Sequence, residues 1–158
     1  MLILGIIAAV SALLADQLSK YMLLTHVADG EIIAFGDWFN LVKVWNTGVS
    51  FSMFNNHGDI GRILLCVLSF AVCAFLLCWM KKETKPLKII SLGLIIGGAL
   101  GNVADRIRFG AVLDFLDFHI AAYHWPAFNL ADTFICLGAC LLIFMEIFKN
   151  KKGNLEEK

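Results

Sequence analysis

The fourth apolar stretch of the chain begins with Asn129-Leu130-Ala131-Asp132-Thr133-Phe134-Ile135-Cys136-Leu137-Gly138 and continues to about Phe148. A helix needs about 20 residues to cross the hydrocarbon core of a bilayer, which is about 30 Å thick. Too few residues for a crossing separate Asp132 from Glu146. We therefore expect Asp132 at or just inside one boundary of the membrane.

Three further apolar stretches also have the length of a membrane-spanning helix. Together the four stretches predict helices over about residues 2–23, 60–80, 87–107 and 129–148. Of the 158 residues, 59% are hydrophobic and 16% are charged, whereas soluble domains average about 45–50% and about 25%. No lysine or arginine precedes the first stretch, so we interpret it as a retained helix rather than a signal peptide. We predict a single integral-membrane domain over residues 1–158.

Lysine residues predict the orientation of these helices. They cluster in the link formed by residues 81–88 and again in the C-terminal tail. Short loops rich in lysine and arginine remain in the cytoplasm. We therefore expect both termini inside the cell and two loops outside it.

The first outer segment, about residues 29–56, predicts a small extracytoplasmic sheet. Residues 31–35 and 39–45 are rich in strand formers, and Gly36-Asp37 between them is typical of a turn. Aromatic side chains in this segment suit a surface at the level of the lipid headgroups. The predicted fold class is a membrane all-α bundle of four transmembrane helices with a small extracytoplasmic β-cradle.

Polar side chains gather at the outer ends of three helices. They are Asp16 and Lys20 on the first, Asn102, Asp105 and Arg106 on the third, and Asn129 and Asp132 on the fourth. Asp114 is expected in the outer loop before the fourth helix. Ionisable residues beside hydrocarbon are costly and usually line a functional cavity. If Asp114 and Asp132 converge, they would share a proton as in aspartic proteases, but a helix cap and a surface acid explain their spacing equally well.

Two sets of spacings predict contacts between helices. Asp16 and Lys20 are four residues apart, which favours an ion pair that either neutralises both charges or positions a substrate. Arg106 is expected to pair with Asp105 or Asp16, or to hold a lipid phosphate or a peptide carbonyl. A further stripe of small residues, Gly93, Gly97 and Gly101, predicts close packing against another helix.

Five blocks of sequence carry a resemblance to a known family, in that family's order. They are Asp16-Gln17-Leu18-Ser19-Lys20, Asn46-Thr47-Gly48-Val49-Ser50-Phe51-Ser52, Gly97-Gly98-Ala99-Leu100-Gly101-Asn102-Val103-Ala104-Asp105-Arg106, Val112-Leu113-Asp114-Phe115 and Phe128-Asn129-Leu130-Ala131-Asp132. The chain resembles lipoprotein signal peptidase, the type II signal peptidase of bacteria. The resemblance covers nearly the whole chain.

The resemblance implies both a fold and an activity. The fold would have four transmembrane helices, a β-cradle and a short interfacial helix. The activity would be cleavage of prolipoproteins on the amino side of a diacylglyceryl-modified cysteine, at the outer face of the bacterial inner membrane. Asp114 and Asp132 would be the catalytic pair. The implied supporting residues are Asp16, Lys20, Asn46, Asn102, Asp105, Arg106 and Asn129. Membrane lipids would be further partners, no cofactor is implied, and a monomer is the simplest assembly.

Two other classes of function remain open at this stage. Intramembrane aspartate, lysine and arginine also mark ion paths, so a small transporter or proton relay is one alternative. A metal-dependent membrane protease is the other, although no H-E-x-x-H or comparable ligand spacing occurs and we expect no metal. The formal net charge is zero and no basic patch is interleaved with aromatic residues, so we expect no nucleic-acid partner.

Overall fold

A computed structural model describes residues 1–48 and 58–156. Its four helices are α1 (Leu2–His26), α2 (Gly58–Lys82), α3 (Pro86–Phe109) and α4 (Leu130–Glu156). Each contains a span that is long and apolar enough to cross a membrane, namely Leu2–His26, Asp59–Lys82, Pro86–Phe109 and Leu130–Ile147. The four predicted transmembrane helices are confirmed. No further helix occurs in residues 1–48 and 58–156, so the implied interfacial helix has no counterpart there.

Helix α3 is the central helix of the bundle. Within the protein, 56% of its membrane span is buried, against 11–17% of the other three spans. A Cβ atom added to Gly93 or Gly97 would overlap a backbone carbonyl of α1, and one added to Gly98 would overlap the Ala131 carbonyl of α4. The predicted stripe of small residues is therefore a packing surface, and the neighbouring face of α3 that carries Gly98 is equally close to α4. This close approach lets short polar side chains connect three helices.

The segment between α1 and α2 and the segment between α3 and α4 form one antiparallel sheet in the order β1-β2-β3-β4. Its strands are β1 (Ile33–Ala34), β2 (Phe39–Asn46), β3 (Val112–Ile120) and β4 (Tyr123–His124). The predicted turn between the first two strands is present, and Gly36 adopts a φ of +80° there. Strand β1 is shorter than the predicted residues 31–35, as is common at a sheet edge. The predicted part of the sheet over residues 49–56 lies outside the described residues.

Asp114 belongs to strand β3, and its expected location in a loop is wrong. Half of the strands come from the segment before α4, which was not expected to join the sheet. The reason is that β3 pairs with β2, about 70 residues earlier in the chain, and such a pairing leaves no local signal in the sequence. The backbone hydrogen bonds between β2 and β3 fix the backbone of Asp114 in a strand.

A β-bulge lies in β2 opposite the start of β3. Between the pairs Leu41–Leu116 and Val44–Asp114, β2 takes three residue steps while β3 takes two. Because side chains alternate between the two faces of a strand, one extra residue switches the face on which the following residues lie. The bulge thereby puts Asn46 on the same face of the sheet as Asp114.

Candidate active site

Asp114 is buried and held by two asparagine side chains. Only 2% of the residue is exposed. The Nδ2 of Asn46 donates to its Oδ2 at 2.9 Å, and the Nδ2 of Asn129 donates to its Oδ1 at 2.6 Å. Strand β3 thus supplies the carboxylate, while β2 and the start of α4 supply the donors.

Asp132 is the third residue of α4 and closes a reciprocal cap with Asn129. The backbone N–H of Asp132 donates to Oδ1 of Asn129 at 3.0 Å, and the backbone N–H of Asn129 donates to Oδ2 of Asp132 at 3.3 Å. From α3, the Nδ2 of Asn102 donates to Oδ1 of Asp132 at 2.8 Å. The alternative interpretation of the two aspartates was a helix cap and a surface acid. Asp132 does take part in a helix cap, but its carboxylate also contacts α3, and Asp114 is buried rather than on the surface. The N-terminal end of α4 favours a negative charge at this position.

Asn129 brings the two carboxylates together. Its side-chain amide donates to Asp114 and its backbone amide donates to Asp132. Its Nδ2 also donates to Oδ1 of Asn102 at 3.2 Å, which joins both aspartates in one network. The predicted convergence of Asp114 and Asp132 is therefore present in the geometry.

Burial raises the pKa of Asp114 above its ordinary value of 3.8. The nearby charge of Asp132 raises it further, whereas hydrogen bonds from Asn46 and Asn129 and the charge of Lys20 lower it without cancelling the rise. Asp114 is consequently protonated more readily than an ordinary aspartate.

Behind this pair, Lys20 is buried between two carboxylates. Its Nζ lies 2.9 Å from Asp16 Oδ2 and 2.8 Å from Asp105 Oδ2. It also donates to Oδ1 of Asn102 at 3.4 Å. The predicted pair between Asp16 and Lys20 is confirmed, and α3 adds Asp105 to it. All three charged groups are 3% exposed or less.

The predicted pairing of Arg106 with Asp105 or Asp16 is wrong. Lys20 occupies both carboxylates, because its Nζ reaches the space between α1 and α3. Arg106 Nη1 instead donates to the backbone carbonyl of Asn102 at 3.4 Å, and its buried Nε has no hydrogen-bond partner within residues 1–48 and 58–156. The guanidinium therefore keeps donor capacity for another group.

Comparison with known proteins decides the family. A family model described as signal peptidase (SPase) II matches residues 8–148.

The chain belongs to the signal peptidase II family.

Two relatives in this family are lipoprotein signal peptidases. The one from Anaplasma phagocytophilum is 43% identical over 154 residues, which cover 96% of this chain and 97% of the relative. The one from Paraburkholderia phymatum is 45% identical over 141 residues, which cover 88% and 84%. A solved bacterial membrane enzyme has the same fold, with a TM-score of 0.80 and 24% identity over 94% of this chain and 90% of its own. The chain is thus a membrane-embedded enzyme of the signal peptidase II family.

Gln17 is a member of the network that the sequence did not single out. Its Nε2 donates to Asp16 Oδ2 at 3.1 Å and to Asp105 Oδ1 at 3.0 Å. The available signal was a long polar side chain directly after Asp16 in a largely apolar helix. In this signal peptidase II family member, Gln17 adds a second link between α1 and α3.

A cleft at the sheet opens onto Asp114. It has a volume of about 320 Å³ and is bounded by the end of β2 and the segment before α4. Its lining residues are Val44, Trp45, Asn46, Thr47, Asp114, Pro126 and Ala127. Within the described residues, no group of three or more histidine, cysteine, aspartate or glutamate side chains is arranged to hold a metal ion.

Proposed function

We propose that this chain is an aspartic endopeptidase that removes signal peptides from prolipoproteins. Membership of the signal peptidase II family carries the general activity and its prolipoprotein substrates. In the finer proposal, the enzyme cleaves on the amino side of a diacylglyceryl-modified cysteine. The observation that carries the mechanism is that one residue, Asn129, holds both Asp114 and Asp132.

The mechanism is general acid–base catalysis by Asp114 and Asp132. Two close carboxylates titrate as a unit and share one proton near neutral pH. In this proposal Asp114 carries that proton, because burial and the charge of Asp132 raise its pKa. Asp132 is the ionised member, because Asn102 and the start of α4 stabilise negative charge there. Asp132 takes a proton from a water molecule, whose oxygen attacks the scissile carbonyl carbon. Asp114 donates its proton to the carbonyl oxygen, which gives a gem-diol. As the peptide bond breaks, Asp132 passes the proton that it took from water to the leaving nitrogen, and Asp114 recovers a proton from a hydroxyl of the gem-diol.

The remaining polar residues support this pair in distinct ways. Asn46 and Asn129 hold Asp114, and Asn102 holds Asp132. Asp16, Lys20 and Asp105 form the charged layer behind them. Arg106, with its unpartnered Nε, is available to a peptide carbonyl of the substrate or a lipid phosphate.

The proposed location is the bacterial inner membrane, with both termini in the cytoplasm. Lys81, Lys82 and Lys85 lie at the turn between α2 and α3, which supports a cytoplasmic turn. The pair of aspartates then lies at the outer face, where lipid tails stay in the bilayer and the peptide bond reaches water. A single domain that acts as a monomer with water as its co-reactant is the simplest assembly, since α1, α3, α4 and the sheet of one chain supply the polar network described above.

An apolar layer argues for proteolysis rather than ion transport. Below the polar network, α2 and α3 form a buried cluster of Cys73, Leu76, Met80, Ile89, Leu92 and Ile96. A path for protons or ions across the membrane needs polar groups at this depth. The cluster supplies none.

The test is cleavage by the purified protein of a prolipoprotein peptide with and without the diacylglyceryl group. We expect cleavage of the lipidated peptide alone, with kcat reduced roughly 1,000-fold or more in Asp114→Asn and Asp132→Asn. Asp117→Asn is the matched control, because Asp117 lies three residues along the same strand and bonds to an asparagine of β2. Full activity of Asp114→Asn or Asp132→Asn would remove that residue from the pair, and loss of activity with a chelator would favour a metal-dependent protease.

A further inference from the structure

The residue before each aspartate of the pair is held through its backbone by a buried carboxylate. The N–H of Leu113, directly before Asp114, donates to Oδ2 of Asp105 at 3.2 Å. The N–H of Ala131, directly before Asp132, donates to Oδ1 of Asp16 at 2.9 Å. Strand β3 and helix α4 are thus tied to α3 and α1 at corresponding positions.

Lys20 joins these two ties into one. Its Nζ bonds to Asp105 at 2.8 Å and to Asp16 at 2.9 Å, so a continuous polar path runs from the backbone of β3 to the backbone of α4. Gln17 connects the same two carboxylates a second time. No atom of this path belongs to Asp114 or Asp132.

We propose that Asp16, Lys20 and Asp105 form an ionic clamp that sets the separation between Asp114 and Asp132. The clamp fixes the backbone before each aspartate, and the inference rests on the proposed role of that pair in catalysis. Separation matters because the sharing of a proton between two carboxylates weakens as they move apart. A displacement of about 1 Å at a catalytic group costs up to about 100-fold in rate.

Lys20 also fixes the orientation of Asn102. An ammonium group can only donate hydrogen bonds, so Oδ1 of Asn102 must face Lys20 and Nδ2 must face Asp132. Stability alone does not require a buried lysine between two carboxylates. Apolar residues of similar volume often stabilise a protein interior as well as a buried ion pair does, or better. Lys20 therefore acts as a positioning residue.

Three variants test the clamp on the lipidated peptide. Lys20→Met removes the central charge. Lys20→Met combined with Asp105→Asn removes one positive and one negative charge together. This keeps the net charge of the cluster and leaves one buried carboxylate, Asp16, without its cation instead of two. Lys88→Met is the matched control, because Lys88 is also buried and pairs with Glu146 between α3 and α4, but at the opposite end of the bundle.

The readouts are kcat, KM, thermal stability and the pH dependence of kcat. The charged groups around the pair are Asp16 and Lys20 on α1 and Asp105 and Arg106 on α3. A clamp predicts that the double variant loses about 100-fold in kcat with little change in KM. Its bell-shaped pH profile should also narrow, because two carboxylates that interact less have less widely separated apparent pKa values. Lys88→Met should leave the profile unchanged at a similar loss of stability.

Two results would overturn the clamp. One is a double variant that folds and keeps both its kcat and the width of its pH profile. The other is a Lys20→Met variant that keeps its maximal kcat while both limbs of its kcat–pH profile move to higher pH by the same amount. Such a shift would mean that Lys20 acts only through its charge. Neither result touches the proposed function, which fails instead if Asp114→Asn remains active.

Discussion

Asp114 and Asp117 lie three residues apart on β3 and respond to their surroundings in opposite directions. Each accepts a hydrogen bond from an asparagine of β2 at 2.9 Å. Burial raises the pKa of Asp114, and the neighbouring carboxylate of Asp132 adds to the rise. Burial also acts to raise the pKa of Asp117, but hydrogen bonds from Asn40 and His124 outweigh it and lower that pKa. The neighbouring groups, rather than the strand, make one aspartate suitable as an acid.

In the Asn46→Ala variant, the high-pH limb of the kcat–pH profile should move to higher pH. The hydrogen bond from Asn46 favours the ionised form of Asp114 and so lowers its pKa. Without it the pKa of Asp114 rises further above its ordinary value, and Asp114 keeps its catalytic proton to higher pH. The measurement is kcat against pH with the lipidated peptide.

Asn40→Ala is the control for this substitution. It removes the equivalent bond to Asp117 from the same strand and should leave both limbs in place. A high-pH limb that stays fixed or moves to lower pH in Asn46→Ala would show that Asp114 is not the acid.

At the scale of elements, α3 and the bulge in β2 bring distant residues together. Gly97 faces the backbone of α1 and Gly98 faces the backbone of α4. Small residues at such positions let helices pack closely where lipid removes the hydrophobic driving force. On the sheet, the extra residue of β2 turns Asn46 toward Asp114. Both features are geometric conditions for the network rather than parts of it.

Gly97→Val should destabilise the protein by about 3 kcal/mol or more and reduce activity in parallel. The new side chain would overlap the Ala9 carbonyl and lie near the Ala12 Cβ, so α1 would move away from α3. Thermal unfolding in detergent measures the first effect and cleavage of the lipidated peptide the second. Ala74→Val, on an exposed surface of α2, introduces the same side chain and should change neither. Equal stability of both variants would show that the helices can separate without cost.

At the scale of the whole molecule, the site lies near one end of the membrane spans. Asp16 is the fifteenth residue of α1, about 21 Å from its start at a rise of about 1.5 Å per residue. Asp132 is the third residue of α4. The hydrocarbon core is about 30 Å thick, so the network lies close to one of its boundaries. If the substrate is anchored in the same bilayer through a diacylglyceryl group, as we propose, its peptide bond must meet the site at that depth.

Activity should therefore depend on bilayer thickness. We expect the highest rate in vesicles whose hydrocarbon core is about 30 Å thick, and a roughly tenfold lower rate at about 25 and about 35 Å. Thermal stability in the same vesicles provides the control for unfolding. Equal rates at all three thicknesses would indicate that the depth of the site does not limit access to the peptide bond.

The extent to which the sequence predicts this protein depends on how local each signal is. Span lengths predict the four helices because a helix is hydrogen-bonded within itself. The spacing of Asp16 and Lys20 predicts their ion pair because residues four apart lie on the same face of a helix. The strand that carries Asp114 was missed because its partner is β2, and the partner of Asp105 was missed because Lys20 and Arg106 both have the required charge. The catalytic roles of Asp114 and Asp132 remain predictions.

The two ion pairs of Lys20 differ in when they can form during synthesis. Asp16 is four residues away on the same helix, whereas Asp105 arrives only after α2 and most of α3 have been made. Until then α1 enters the bilayer with a lysine that would be costly there without an opposite charge. The ion pair with Asp16 provides that opposite charge as soon as α1 forms, so the charges of Asp16 and Lys20 cancel while α1 is in the membrane without its partner helices. When α3 docks, the same ammonium group binds Asp105, and the last helix to be inserted then finds Asp16 already oriented to receive its backbone.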